Sequence, residues 1–113
     1  MKIVDRDTFI KMPANTVYSD YSPCYFGPLC INGGSIIFDS GNDYFYQQIV
    51  GAVDADDPGE FVDKLSVAEA NGTNVGLDLY CESRDGYFEY DQLYAVWDKE
   101  DVAMLIERLK ECL

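Results

Sequence analysis

The chain predicts an α+β domain: a mostly antiparallel sheet of about five to seven strands with three helices packed against it. Three observations lead there. Capped helical segments alternate with runs of branched and aromatic residues. Turn residues recur between short apolar runs. A length of 113 residues with 48% hydrophobic content suits one domain, residues 1–113, with its own core.

The elements follow in order. In DRDTFIKMP, Asp5 or Asp7 caps a short first helix, Phe9 and Ile10 face inward, and Pro13 ends it by restricting Met12. TVYSDY reads as a strand closed by SPCYFGP. LCINGGSIIF reads as a hairpin, two apolar runs around Asn32, Gly33 and Gly34, which tolerate positive φ. A second turn, Ser40-Gly41-Asn42-Asp43, leads into the strand-like YFYQQIVGAV.

Residues 54 to 60, DADDPGE, hold four carboxylates. Asp57 stands before Pro58 with Glu60 three residues on, which is an N-cap, a proline at the first helical position and a capping-box acid. Phe61, Val62, Leu65 and Ala68 keep helical spacing until Asn71-Gly72 stops the run. A calcium loop begun at Asp54 would put Pro58 at a ligand position and Leu65 where a bidentate Glu belongs, so a helix start is the better reading.

VGLDLYCESRDGYFEY reads as a second hairpin, with Val75, Leu77, Leu79 and Cys81 alternating with polar residues and RDG at the turn. LYAVW makes a further strand. Asp98 then caps a final helix in which Val102, Leu105, Ile106, Leu109 and Leu113 form an apolar stripe.

Charge narrows the function classes. Eight basic and 21 acidic residues leave a net charge of −13. No Lys or Arg stands between Lys11 and Lys64, a stretch holding Asp20, Asp39, Asp43, Asp54, Asp56, Asp57, Glu60 and Asp63. Such a chain repels nucleic acid and anionic membranes and attracts basic surfaces. The partner expected is therefore a basic protein, with neither direct nucleic-acid binding nor membrane binding; a second copy of the chain is the other partner considered. MKIVDRDTF carries no long apolar run and the chain no membrane span, which leads to the expectation of a cytoplasmic protein.

Catalysis has little to work with. The chain has no histidine, so no Ser/His or Cys/His relay exists, and NGG is too short for a phosphate loop. Cys24, Cys30, Cys81 and Cys112 form no CxxC pair and are expected as free, buried or half-buried thiols, without a metal or other cofactor. The surface is more informative. If Leu77 and Leu79 face the core, then Asp78, Tyr80 and Glu82 share an outer face with about 6.5–7 Å between successive residues, comparable to phosphate spacing. Glu89 extends that row from the partner strand. Nine tyrosines add interface anchors. The candidate partner-binding residues are thus Asp54, Asp56, Asp57, Glu60, Asp78, Tyr80, Glu82 and Glu89.

MKIVDRDTFIKMPANTVYSDYSPCYFG, GNDYFYQQIV and RDGYFEYDQLYAVWDKEDVAMLIERL together resemble a group of small acidic proteins encoded by tailed bacteriophages and prophages. The likeness runs along nearly the whole chain. The group has no assigned activity, so it supplies no site residues. It implies an accessory protein in a bacterial host cytoplasm, of the sort that occupies and inhibits a host nuclease or CRISPR complex. A phage structural or assembly component is the alternative. A small carbohydrate- or nucleotide-active enzyme would instead show a tyrosine-lined cleft with facing carboxylates.

Overall fold

The computed structural model describes residues 1–38 and 41–113. Its elements are β1 (Lys2–Val4), α1 (Arg6–Ile10), β2 (Val17–Ser22), β3 (Tyr25–Phe26), β4 (Cys30–Phe38), β5 (Gly41–Gln48), α2 (Pro58–Asn71), β6 (Glu82–Arg84), β7 (Leu93–Trp97) and α3 (Lys99–Lys110). Every strand pairing is antiparallel, in the order β1-β7-β2-β4-β5-β6, with β3 folded back on β2. This is the expected α+β architecture. Among the described residues no helix is long and apolar enough to cross a membrane.

Register decides what each face carries. Val96 stands opposite Tyr18, Tyr18 opposite Cys30, and Cys30 opposite Gln48, so these residues share one face with Tyr94 and Asp20, which also pair. Period-two alternation adds Tyr44 and Tyr46 from β5. Helix α1 plugs this face. Asp5 caps it, accepting the Thr8 N–H at 2.9 Å, and Phe9 and Ile10 are buried as expected. The Phe9 ring stacks on Tyr94 with centroids 4.1 Å apart and lies 4.6 Å from Tyr18 and 5.1 Å from Tyr44. One helix side chain thus meets rings from three strands.

The NGG hairpin is not formed. Residues 30–38 make one continuous strand, with a bulge between Asn32 and Gly34. The Asn32 side chain accepts the Gly34 N–H at 2.7 Å, and Gly34 takes φ +127°, so the residues that suit a turn serve a bulge instead. A Cβ on Gly33 would collide with the Glu82 carboxylate, which occupies the space where a side chain would stand. Of the second expected turn, Ser40 lies outside the described residues, while Gly41, Asn42 and Asp43 already belong to β5.

The second hairpin is also overturned. Only Glu82–Arg84 forms a strand. Residues 75–81 are held by a single bridge, Val53 to Leu77, and Leu77 and Leu79 are exposed. Residues 87–90 form no strand, because Gly86 and Phe88 adopt positive φ and break the extended run. The sequence also hid β1, three residues too short for a periodic signal.

Both longer helices carry their expected N-cap residues, but the capping box expected on α2 is not closed, because the Glu60 carboxylate accepts the N–H of Asp56 and not that of Asp57. Asp57 accepts the Glu60 N–H at 2.7 Å, Pro58 opens α2, and Gly72 closes it at φ +66°. Asp98 and Asp101 form a reciprocal capping box on α3. Neither helix buries any residue fully, and Phe61, Val62, Leu65, Ile106 and Leu109 remain exposed.

Two stability outcomes follow from this packing. Phe9→Ala removes the ring shared by three strands and should cost about 3–5 kcal/mol in denaturant unfolding; a loss under about 1 kcal/mol would show that the tyrosines pack without it. Gly34→Ala meets open space yet keeps a backbone that L residues avoid, so it should cost about 1–3 kcal/mol by the same measurement. A neutral Gly34→Ala would mean that the bulge relaxes freely.

Candidate functional site

On the tyrosine-bearing face a cavity of about 240 Å³ opens beside the α1 plug. Its floor is the sheet, and its far wall is the 85–92 segment that fails to form a strand. The Asp85 N–H donates to the Tyr44 carbonyl at 3.0 Å, and the Gln92 side-chain amide donates to the Tyr21 carbonyl at 3.1 Å, which ties that segment down at both ends.

A closed hydrogen-bond ring lines one side. Arg6 Nη1 donates to Tyr94 Oη at 3.0 Å, Tyr94 Oη to Tyr44 Oη at 3.3 Å, and Tyr44 Oη to Asp85 Oδ1 at 3.2 Å. Arg6 Nη1 returns to Asp85 Oδ2 at 3.4 Å, and Nη2 donates to the Asn42 carbonyl at 2.8 Å. Arg6 is only 3% exposed, yet its charge is paired and lies 5.4 Å from the Tyr44 ring centre. Burial drives the Tyr44 and Tyr18 hydroxyls far above the ordinary tyrosine range and raises Tyr94 as well, although Tyr44 and Arg6 oppose the last shift.

Asp20 and Glu89 line the same cavity as that ring. The Asp20 carboxyl is pushed above its usual value, first by loss of surrounding water and then by the charges of Asp85 and Glu89; Arg6 only partly offsets them. Three carboxylates therefore face one space that holds a single, already engaged cation. Among the described residues no three His, Cys, Asp or Glu side chains converge closely enough to hold a metal ion. The arrangement suits an organic cation, with Tyr46 and the exposed Tyr87 ring supplying aromatic walls.

The residues singled out from the sequence fall into two groups. Asp54, Asp56 and Asp57 are exposed at the start of α2. Glu60 accepts the Asp56 N–H at 3.1 Å and meets Lys64 at 2.8 Å, contacts that hold its carboxyl below the usual range, Lys64 contributing most. The Asp54 N–H donates to the Gly76 carbonyl at 2.9 Å and the Asp78 N–H to the Ala52 carbonyl at 2.8 Å, which draws Asp78 toward the cluster. Glu89 lies apart, on the cavity.

The expected row along one strand face is absent. Asp78 turns back to accept the Tyr80 N–H at 3.0 Å, Tyr80 projects into solvent, and Glu82 leans over β5 toward Gln47 and Gly33. The even spacing argued for Asp78, Tyr80 and Glu82 required a strand that residues 78–81 do not form. The cysteine expectation also needs correction, since Cys24, Cys81 and Cys112 are exposed. Cys30 is buried, and burial together with Asp20 pushes its thiol up to about 11.

Arg6, Asp20, Asp85 and Gln92 were not singled out. The available signal was pairing at a spacing of two, Tyr18 with Asp20 and Tyr44 with Tyr46, which puts each pair on one strand face. Three of the nine tyrosines, Tyr18, Tyr44 and Tyr94, are buried and raised. A raised folded-state value favours the folded form below the unfolded value of 10.0, and that contribution is lost as pH rises beyond it. Spectrophotometric titration should accordingly show these three ionising only with cooperative unfolding. Nine tyrosines ionising together in the folded protein would mean that the cluster is open to solvent. Comparison of the chain with protein-family models, curated proteins and solved structures found no match, so its geometry bears the functional reading.

Proposed function

We propose that the chain is a binding protein for a basic host protein, and that it admits one cationic side chain of that partner, an arginine or a lysine, into the tyrosine–carboxylate cavity. The observation that carries this is the placement of Asp20, Asp85 and Glu89 along one space walled by aromatic rings, where the charges of Asp85 and Glu89 add to loss of water in raising the Asp20 carboxyl. A guanidinium or ammonium group would relieve the like-charge repulsion and meet the ring faces. Size favours a side chain over a nucleotide or sugar: about 240 Å³ falls below the roughly 300–1,000 Å³ of pockets that enclose whole small-molecule ligands.

The exposed acids Asp54, Asp56 and Asp57, with Glu60 and Asp78 nearby in the fold, add the long-range attraction that steers a basic surface into place. A protein surface basic enough to suit them is one that would otherwise hold nucleic acid. Bound there, the chain competes with nucleic acid and acts as an inhibitor, in keeping with its resemblance to small acidic phage proteins and with a bacterial cytoplasmic setting. The alternative, a structural or assembly component, draws support from one feature, the exposed apolar stripe of α3.

Titration calorimetry with arginine-rich and lysine-rich peptides tests the binding. Affinity should fall with added salt and rise with pH through the elevated Asp20 value, because a bound cation favours ionised Asp20 and releases its proton. Asp20→Asn with Glu89→Gln should weaken binding by about tenfold or more, some 1.4 kcal/mol. Replacing Asp54, Asp56 and Asp57 together by Asn should slow association more than it speeds dissociation. Undiminished affinity in the Asp20/Glu89 variant would remove the cavity from the interface. A pull-down from bacterial lysate at two salt concentrations would then identify the natural partner.

A further inference from the structure

We infer that the partner is held by two neighbouring basic side chains, arginines by preference, the second lodging in a cavity that adjoins the first across the Glu89–Gln92 segment. The inference rests on the reading of the tyrosine–carboxylate cavity as a cation site and adds what stands beside it. The second cavity, about 380 Å³, opens where β2 ends and β7 begins, and Tyr21, Glu89, Tyr90, Asp91 and Gln92 are among the residues that line it. Glu89 and Gln92 line the first cavity as well, so the two spaces share that wall. The acids and tyrosines of the first cavity are thus repeated in the second, and no Lys or Arg lines the second at all.

Charge matching is the first argument. Asp85 is met by Arg6 at 3.4 Å, but among the described residues Asp20, Glu89 and Asp91 enter no ion pair. One cation in the first cavity therefore leaves two of these three carboxylates unmatched. A second cation, in the space that Glu89 and Asp91 line, brings the shared wall closer to balance. When both cations belong to one segment, the second is captured at the high effective concentration that a short tether sets.

Gln92 supplies the second argument. Its Nε2 donates to the Tyr21 carbonyl at 3.1 Å and to the Leu93 carbonyl at 2.7 Å, which spends both amide protons and fixes the group. Both partners can only accept, so the amide has one orientation. Its Oε1 takes no hydrogen bond from the described residues and is the polar atom that Gln92 has left to offer on the wall common to both cavities. A fixed acceptor beside carboxylates suits a group with several N–H donors, and the five of a guanidinium in their rigid fork serve it better than the three of an ammonium. The second cavity has a wider mouth than the first. A free small molecule would keep much of its water there, whereas a side chain delivered by a segment already anchored next door needs no enclosure.

The experiment is titration calorimetry of the full chain with end-blocked glycine–serine peptides of equal length. They carry a single arginine, two arginines adjacent or one residue apart, or two arginines at opposite ends. The better close-spaced pair should bind about tenfold or more tighter than the single arginine, and the end-placed pair should fall well short of that, because only close spacing fills both cavities together. Asp91 is exposed and does not line the first cavity, so Asp91→Asn should remove most of the gain and leave the single-arginine affinity within about twofold. Equal gains from close and distant pairs reduce the effect to general attraction and overturn the inference, as does a gain that Asp91→Asn leaves whole. A single arginine that binds as tightly as the close pair overturns it too while the reading of the first cavity stands; binding by none of the peptides overturns both.

Discussion

Everything on the cavity-bearing side of this protein depends on one ring in one place. Helix α1 has five residues, far too few to persist in water alone, so it exists because Phe9 and Ile10 are buried. Phe9 sits among Tyr18, Tyr44 and Tyr94, and through them it sets the relative positions of β2, β5 and β7. Arg6 stands three residues before it on the same turn, so the insertion that completes the core also delivers a buried guanidinium. The tyrosine hydroxyls at the far end of the cluster then have a fixed donor and a fixed carboxylate to join. Core and site are two ends of the same side chains.

That economy explains the polar character of so small a core. Tyrosine carries apolar area at one end and a hydroxyl at the other, so it can pack against Phe9 and still line an aqueous cavity. The closed ring of Arg6, Tyr94, Tyr44 and Asp85 leaves no hydroxyl of that ring without a partner, and buried polar groups of this kind specify a single arrangement more sharply than an oily core does. Asp43 repeats the pattern across the sheet. Burial alone would raise its carboxyl, but Arg84, with the N–H groups of Gly86 and Tyr44, holds it below the usual range.

Local chemistry was legible where it is self-contained. Asp5, Asp57 and Asp98 cap their helices by bonding N–H groups three residues on, and Gly72 ends α2 at positive φ; each effect lies within one turn and is readable without the rest of the fold. Strands β2 and β7 were legible for the same reason, as short runs of branched and aromatic residues. What could not be read was set by distant neighbours. Asn32, Gly33 and Gly34 suit a turn and a bulge equally, and the bulge prevails because β5 pairs along the whole length of β4. The alternation from Val75 to Cys81 imitates a half-buried strand, but no sheet edge receives it. Asp20 looked like one acid among 21 until Asp85 and Glu89 were brought against it from more than sixty residues away.

The empty side of Gly33 carries a consequence for how this sequence can change over generations. Glu82 reaches across an intervening strand to fill the space that a side chain at position 33 would need. The two positions, 49 residues apart, therefore behave as one volume divided between two codons. The obstructing atoms are the end of an exposed, flexible side chain, so a residue gained at 33 would displace the Glu82 carboxylate from its place beside Gln47 and leave Glu82 itself tolerable. Exchange at either position therefore resets the conformation of the other across the width of a strand.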